Sequence, residues 1–291
     1  MALLDGLDGI DWAKLSHAYG PATDVPEMLR TLVSADAAAR RRVEVALYGN
    51  VIHQNCVWSA SSRVVPFFVE ILTDGPDDVE LRRFCLAYLA DLAGPDPGEA
   101  FPSRFDPDEC FVDCDDPGTW REQDRGTDRE DDELLQQMMR VWGKACYDAV
   151  ERALPALLPL LDDPDDELAI GAACLCAAFP RSAERSAPLL RACVTRMTAS
   201  PARAGAALVA LALLEPTPTQ TVAEELMRRA PTRLIALHAA CAATIAGPRT
   251  ASAQARELVA APAGELGEEP SFKGTLSALL DDCRMLLRCT L

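Results

Sequence analysis

Three histidines, at positions 17, 53 and 238, each stand beside groups that could do chemistry. In "VALYGNVIHQNCVWSASSRVVPFF", residues 45–68, His53 and Gln54 precede Trp58 and an apolar run, while His17 and Tyr19 lie in "SHAYGPATDVP". Polar aromatics and an imidazole beside a core segment could form a catalytic pocket. A general base there would need an acid or a nucleophile within hydrogen-bond reach. The competing reading is structural, because a histidine near a helix C-terminus bonds the last free carbonyls and meets the dipole favourably. On that reading His53 and Gln54 end one helix, and Trp58 and Ser59 begin the link to the next. His17 and Tyr19 then seal the N-terminal end of the structure as a cap. The spacing favours the structural reading, with the pocket as its alternative.

A second group is "CFVDCDD", where Cys110 and Cys114 flank Asp113 and are followed by Asp115 and Asp116. Thiolates and carboxylates bind zinc, but structural zinc sites pair two cysteines with a second Cys/His pair, and none follows here. The run also lacks the glycine and terminal glutamate of a calcium loop. No metal or other cofactor is expected. Trp120, inside the same acidic stretch, and Trp142 are either pegs that hold the stretch to the body or anchors for a partner. His238, within "ALHAACAATIAG", reads as a satisfied histidine of a core or groove. Glycine-rich phosphate loops, nucleophile elbows and paired zinc motifs are missing from the sequence.

The elements that position these residues are legible from composition and periodicity. Ala and Leu dominate the apolar share and aromatics are only 5%, which suits helices because both residues lose little rotamer freedom there. The net charge of −17 repels phosphate backbones, so nucleic acid is not an expected partner. The opening "MALLDGLDGIDWAKL" lacks the basic-then-apolar order of a signal peptide. No uncharged apolar run approaches the roughly 18 residues of a membrane span. A cytoplasmic chain is expected, its eleven cysteines reduced and several of them small hydrophobes on helical faces.

Two shapes alternate along the chain. The first is "VPEMLRTLVSAD" (25–36), "VPFFVEILTDGPDD" (65–78), "LPALLPLLDDPDD" (154–166) and "APLLRACVTRM" (187–197), each with a proline at its second position. Proline is tolerated in a first helical turn, so helices are expected to begin there. The second shape is "LRRFCLAYLADLAGP" (81–95), "LAIGAACLCAAFP" (168–180), "ARAGAALVALALLEP" (202–216) and "LIALHAACAATIAGP" (234–248), small-residue helices that stop at proline. A helix apolar all round must be covered on both sides, as in the inner layer of a stack. Prolines 180, 216 and 248 are spaced for helical-pair repeats. The longer interval from Pro95 to Pro180 marks an insertion at about 95–133, an elaborated loop. From 102 to 133 it holds thirteen Asp/Glu against four Arg, a local charge of −9.

These alternating segments resemble HEAT repeats. The words "DWAKLSHAYGPATDVPEMLRTL" and "LYGNVIHQ" are similar to a set of bacterial HEAT-repeat proteins, over about residues 10–250. The resemblance implies an all-α fold, an α-solenoid of HEAT-like helical pairs forming one domain over 1–291 with the acidic loop inserted. Inner HEAT helices often start with Asp and then Val-Arg, whereas "DDELAIGAA" has no Arg, so a stacked polar ladder is expected to be incomplete. The function expected is a non-catalytic protein–protein interaction scaffold in a hetero-oligomer, with no membrane. Its partner, an enzyme that it stabilises or a toxin that it neutralises, is expected to present a basic face. Asp113, Asp115, Asp116, Trp120 and Trp142 would touch that partner. The alternative is an enzyme on the same scaffold, of the DNA glycosylase or lyase kind.

Overall fold

The computed structural model describes residues 3–54, 56–94, 107, 129–272 and 274–289, with the side chains of the helix that begins at Arg129 described from residue 137. The described residues are all-α: twelve α-helices, short 3-10 turns and three two-stranded antiparallel ladders. They fall into two compact units that divide between Leu157 and Leu158.

The first unit contains α1 (Val25–Leu32), α2 (Ala37–Asn50), α3 (Ser61–Asp74), α4 (Val79–Ala93) and α5 (Arg129–Leu157). The second contains α6 (Asp166–Ala177), α7 (Ala183–Thr195), α8 (Pro201–Leu214), α9 (Pro216–Arg229), α10 (Arg233–Ala246), α11 (Ala253–Ala260) and α12 (Leu276–Cys289). The Asp-rich turns start helices as well as closing them. Asp36 accepts from Ala38 N and Ala39 N, Asp78 from Leu81 N, and Asp165 from Leu168 N. Each satisfies amide donors that a helix start leaves unpaired.

Helices α8 and α10 are buried on every side, through runs such as Ala206–Ala212 and Leu237–Ile245. Within the second unit α8 packs on α6, α7, α9 and α10, and Pro270–Ser271 also lies against it. Small side chains permit that close approach from all directions. In the first unit an aromatic stack forms the core: Phe68 and Tyr88 lie parallel at 4.3 Å, and Tyr48 meets Tyr88 edge-on at 4.9 Å.

Two expectations are corrected. Proline opens only α1 among the four segments of the first shape, as Pro26. Pro66, Pro155 and Pro188 lie inside helices that begin earlier, at Ser61, Arg129 and Ala183. The helix after the acidic stretch begins at Arg129, before the "ELLQQ" that follows the expected loop. Two separate arginine contacts are present at the Asp-rich turns: Arg40 pairs with Asp78 at 2.6 Å, and Arg203 bonds Asp166 and the carbonyl of Pro164.

Candidate functional site

The cluster around His17 and His53 is built by two tight hairpins. Ser16–His17 pairs with Gly20–Pro21, and Ile52–His53 with Cys56–Val57. Gln54, in the turn of the second hairpin, takes left-handed backbone (φ 50), and Gly20, paired with His17 just after the turn of the first, takes φ 123. His53 and Gln54 therefore lie three and four residues beyond the helix, which ends at Asn50, in place of the helix end expected for them. β-Branched Ile52 and Val57 face each other across the ladder and favour extended backbone. The hairpins are tied together through Ala18 N to Asn50 O (2.9 Å), Ser16 N to Ser59 Oγ (2.8 Å) and Ala60 N to Ser16 O (3.1 Å).

These ties bring His17, Tyr19, His53 and Asn50 to one place together with Asp24. The amide of Tyr19 donates to His17 Nδ1 (3.1 Å), so Nε2 carries the ring proton and donates to Asp24 Oδ1 (2.9 Å). Both nitrogens of His17 are thus occupied, and the ring is buried. A catalytic histidine needs one lone pair facing a substrate; His17 has none to offer. His53 donates from Nδ1 to the carbonyl of Gly49 at 2.8 Å, one of the last carbonyls of α2. The edge of Tyr19 stands over His53 with ring centroids 5.4 Å apart, and Tyr19 is 69% exposed. Among the described residues, the positions of the cluster left open are His53 Nε2 and the Tyr19 ring. That is a capped joint with an exposed aromatic tip.

Trp58 is buried on Trp142 and Met138, the two indoles 5.9 Å apart. Trp142 is 1% exposed. The reading of Trp142 as a partner anchor is therefore corrected: an anchor must be reachable, and this ring is core. Among the described residues, Trp58 Nε1–H meets no acceptor. Asp113, Asp115, Asp116, Trp120, Cys110 and Cys114 lie outside the described residues.

His238 is the second polar joint. Its Nδ1 donates to Leu234 O (3.1 Å), the carbonyl one turn back, and Nε2 accepts from Ser271 Oγ (3.0 Å). Both residues are buried. Burial depresses the imidazole to about 4, although the Leu234 carbonyl works the other way. A serine hydroxyl on a neutral imidazole is half of a nucleophilic site, yet here it is closed into the core. Gly205 of α8 makes room for the ring. A Cβ there would lie 2.3 Å from His238 Cγ.

The thiols of Cys85, Cys146, Cys176, Cys193, Cys241 and Cys283 are buried. Burial pushes Cys176 up to about 12 and raises Cys85 and Cys146 as well, which holds them as unreactive thiols. A shallow groove between α11 and α12 is lined by Val259, Leu287 and Arg284. Arg284 spends its donors on the carbonyls of Val259 and Ala261, both at 2.8 Å, and on Asp281. Among the described residues, no group of three or more His, Cys, Asp or Glu is placed to hold a metal, and no helix is long and apolar enough to cross a membrane.

Sequence reasoning singled out His17, Tyr19, His53 and Trp58 but missed Asp24, Gly49, Gly205 and Ser271. Gly205 had a signal, as the single glycine of an otherwise alanine-rich helix. Ser271 had none, since it lies 33 residues from its partner. Compared with models of known families, with curated proteins and with solved structures, the chain matches none.

Proposed function

We propose that this protein is a non-catalytic interaction module, an α-solenoid of HEAT-like helical pairs that holds a partner protein through the partner's basic face. The observation that carries the reading is the charge: −17 overall, with −9 of it between residues 102 and 133. Like charges at that density repel one another, and a cationic surface relieves the repulsion. The solenoid reading draws support from near-neighbour packing in the second unit, where α8 packs on α6 and α10, and α10 on α12. Partner binding draws support from the histidines. His17 and His238 are committed to internal bonds at both nitrogens, which supports an architectural role for them.

The experiment is capture from host lysate at two salt concentrations, followed by association kinetics with the protein recovered. Complementary charge raises the association rate more than the final affinity. Salt should therefore slow association strongly and change dissociation little. Reversal of Asp113, Asp115 and Asp116 to Lys should slow capture at low salt, and Trp120→Ala should shorten the lifetime of the complex. Salt-independent association with a recovered partner, or turnover of a small molecule by the isolated chain, would overturn the reading.

A further inference from the structure

Helix α2 departs from the rest of the fold. Of its fourteen residues it buries only Leu47, although it carries apolar side chains. Val45 is 74% exposed and Tyr48 37% exposed. Arg41, Val45 and Tyr48 recur at i, i+4 and i+7, which places them in one stripe along the helix, with exposed Arg42 one turn from Val45. The stripe is rigid at its apolar end. Tyr48 Oη donates to Asp91 Oδ2 at 2.6 Å, and its ring meets Phe84 at 5.9 Å and Tyr88 at 4.9 Å, continuing the aromatic stack that begins at Phe68.

The other end is cationic. Arg40, Arg41 and Arg42 fall in the first two turns of α2, where the helix dipole is already positive and cations are disfavoured. Asp36 caps that end and Arg40 pairs with Asp78. Arg41 and Arg42 remain exposed. Two arginines stand one turn from an exposed valine and about two turns from a pre-positioned tyrosine, and arginine and tyrosine are among the residues enriched in interaction hot spots.

We infer that the Arg41–Val45–Tyr48 stripe, with Arg42, is a docking surface for an acidic segment of a partner protein that carries an apolar side chain. The carboxylates lie on Arg41 and Arg42, and the apolar group covers Val45 and the Tyr48 ring. Charge complementarity selects the occupant, because the stripe is an arginine cluster on a chain that is acidic overall. The inference goes beyond the proposed function. It concerns a cationic surface of the first unit, whereas that reading concerns the anionic stretch, so either can fail alone.

The test uses the full chain and a fluorescent twelve-residue Asp/Glu peptide with a central Leu-Phe pair, followed by anisotropy at low salt. Two control peptides replace the acidic residues with Lys, or Leu-Phe with Ser-Ser. The acidic peptide should bind. R41E/R42E together should weaken it about tenfold, and V45D and the Ser-Ser control should each weaken it several-fold. Because these side chains are exposed, the variants should keep the melting temperature of the parent, and Y48F, which removes only the hydroxyl, provides a milder second probe of the apolar end. Absence of binding, equal binding to R41E/R42E, or preference for the Lys peptide overturns the inference. So does binding that emerges only after residues 98–128 are deleted, which would make the chain's own acidic stretch the occupant. A dimer that R41E/R42E dissolves would point to a second copy and overturn it as well.

Discussion

Gly205→Ala should destabilise this protein, against the ordinary expectation for a helix. In the interior of an exposed helix alanine is favoured over glycine by about 1 kcal/mol. At position 205 the added Cβ would lie 2.3 Å from His238 Cγ, 2.4 Å from Cδ2 and 2.7 Å from Nδ1. Ordinary contact begins at 3.4 Å, so the ring would have to retreat by about an ångström. It is held at both ends, by Leu234 O at 3.1 Å and Ser271 Oγ at 3.0 Å, and retreat breaks at least one bond. Overpacking costs about 1–3 kcal/mol, and a buried polar group left unmet about 1–3 kcal/mol more. Set against the gain in propensity, the net loss is roughly 1–5 kcal/mol. Thermal melting followed by circular dichroism should show a fall of about 2–20 °C. Combining Gly205→Ala with His238→Ala should cost less than the sum of the two, since the second change empties the space that the first needs. A single variant that melts at or above the parent temperature would show that the ring is not pinned, and the reasoning would be refuted.

Further outcomes follow from the same geometry. Because burial holds His238 near 4 in the fold and an unfolded histidine titrates near 6.5, stability is unaffected by this residue above pH 6.5. As the pH falls from there toward 4, the unfolded chain takes up a proton that the native state refuses, which removes roughly 3 kcal/mol in all. Urea midpoints of His238→Asn measured against the parent should lack that slope. Asp78→Ala, which loses the cap on Leu81 N and the Arg40 ion pair, should cost about 1–2 kcal/mol. Asp78→Asn keeps the cap and should cost less than about 1 kcal/mol, as denaturant melts would show. Trp142→Ala should cost about 3–5 kcal/mol as a core deletion. Tyr19→Ala, at an exposed tip, should stay within about 0.5 kcal/mol.

Helix positions were legible in the sequence wherever the cause was local. The small-residue words 202–216 and 234–248 predict covered helices, and α8 and α10 are covered because a chain of Ala and Leu has no polar face to leave in water. Helix starts were less legible. Proline at a second position suggests a first turn, yet Ser61 and Ala183 begin their helices upstream of Pro66 and Pro188. A proline five residues into a helix forgoes one backbone bond, and the apolar face of Val64, Val65, Phe67 and Phe68 outweighs it. The candidate site divides the same way. His53 lies near enough to α2 for its bond to Gly49 to be anticipated, whereas Asp24 and Ser271 meet their histidines through the fold.

The two polar joints also explain why histidines in this chain read as catalytic at first sight. His17 bonded to Asp24 and His238 bonded to Ser271 have the partners of catalytic pairs, an acid in one case and a hydroxyl in the other. What separates them from catalysis differs between the two. His17 already accepts from the Tyr19 amide at the nitrogen a base would use, whereas His238, held by the Leu234 carbonyl as a catalytic ring would be, is closed with Ser271 into the core. A buried imidazole with an empty nitrogen would cost stability, and backbone groups are the nearest means of filling it. The free binding capacity of the described surface therefore lies away from the histidine rings that are closed at both nitrogens. It lies on exposed side chains, and α2, with Leu47 alone buried, presents Val45 and the exposed part of Tyr48 in one stripe.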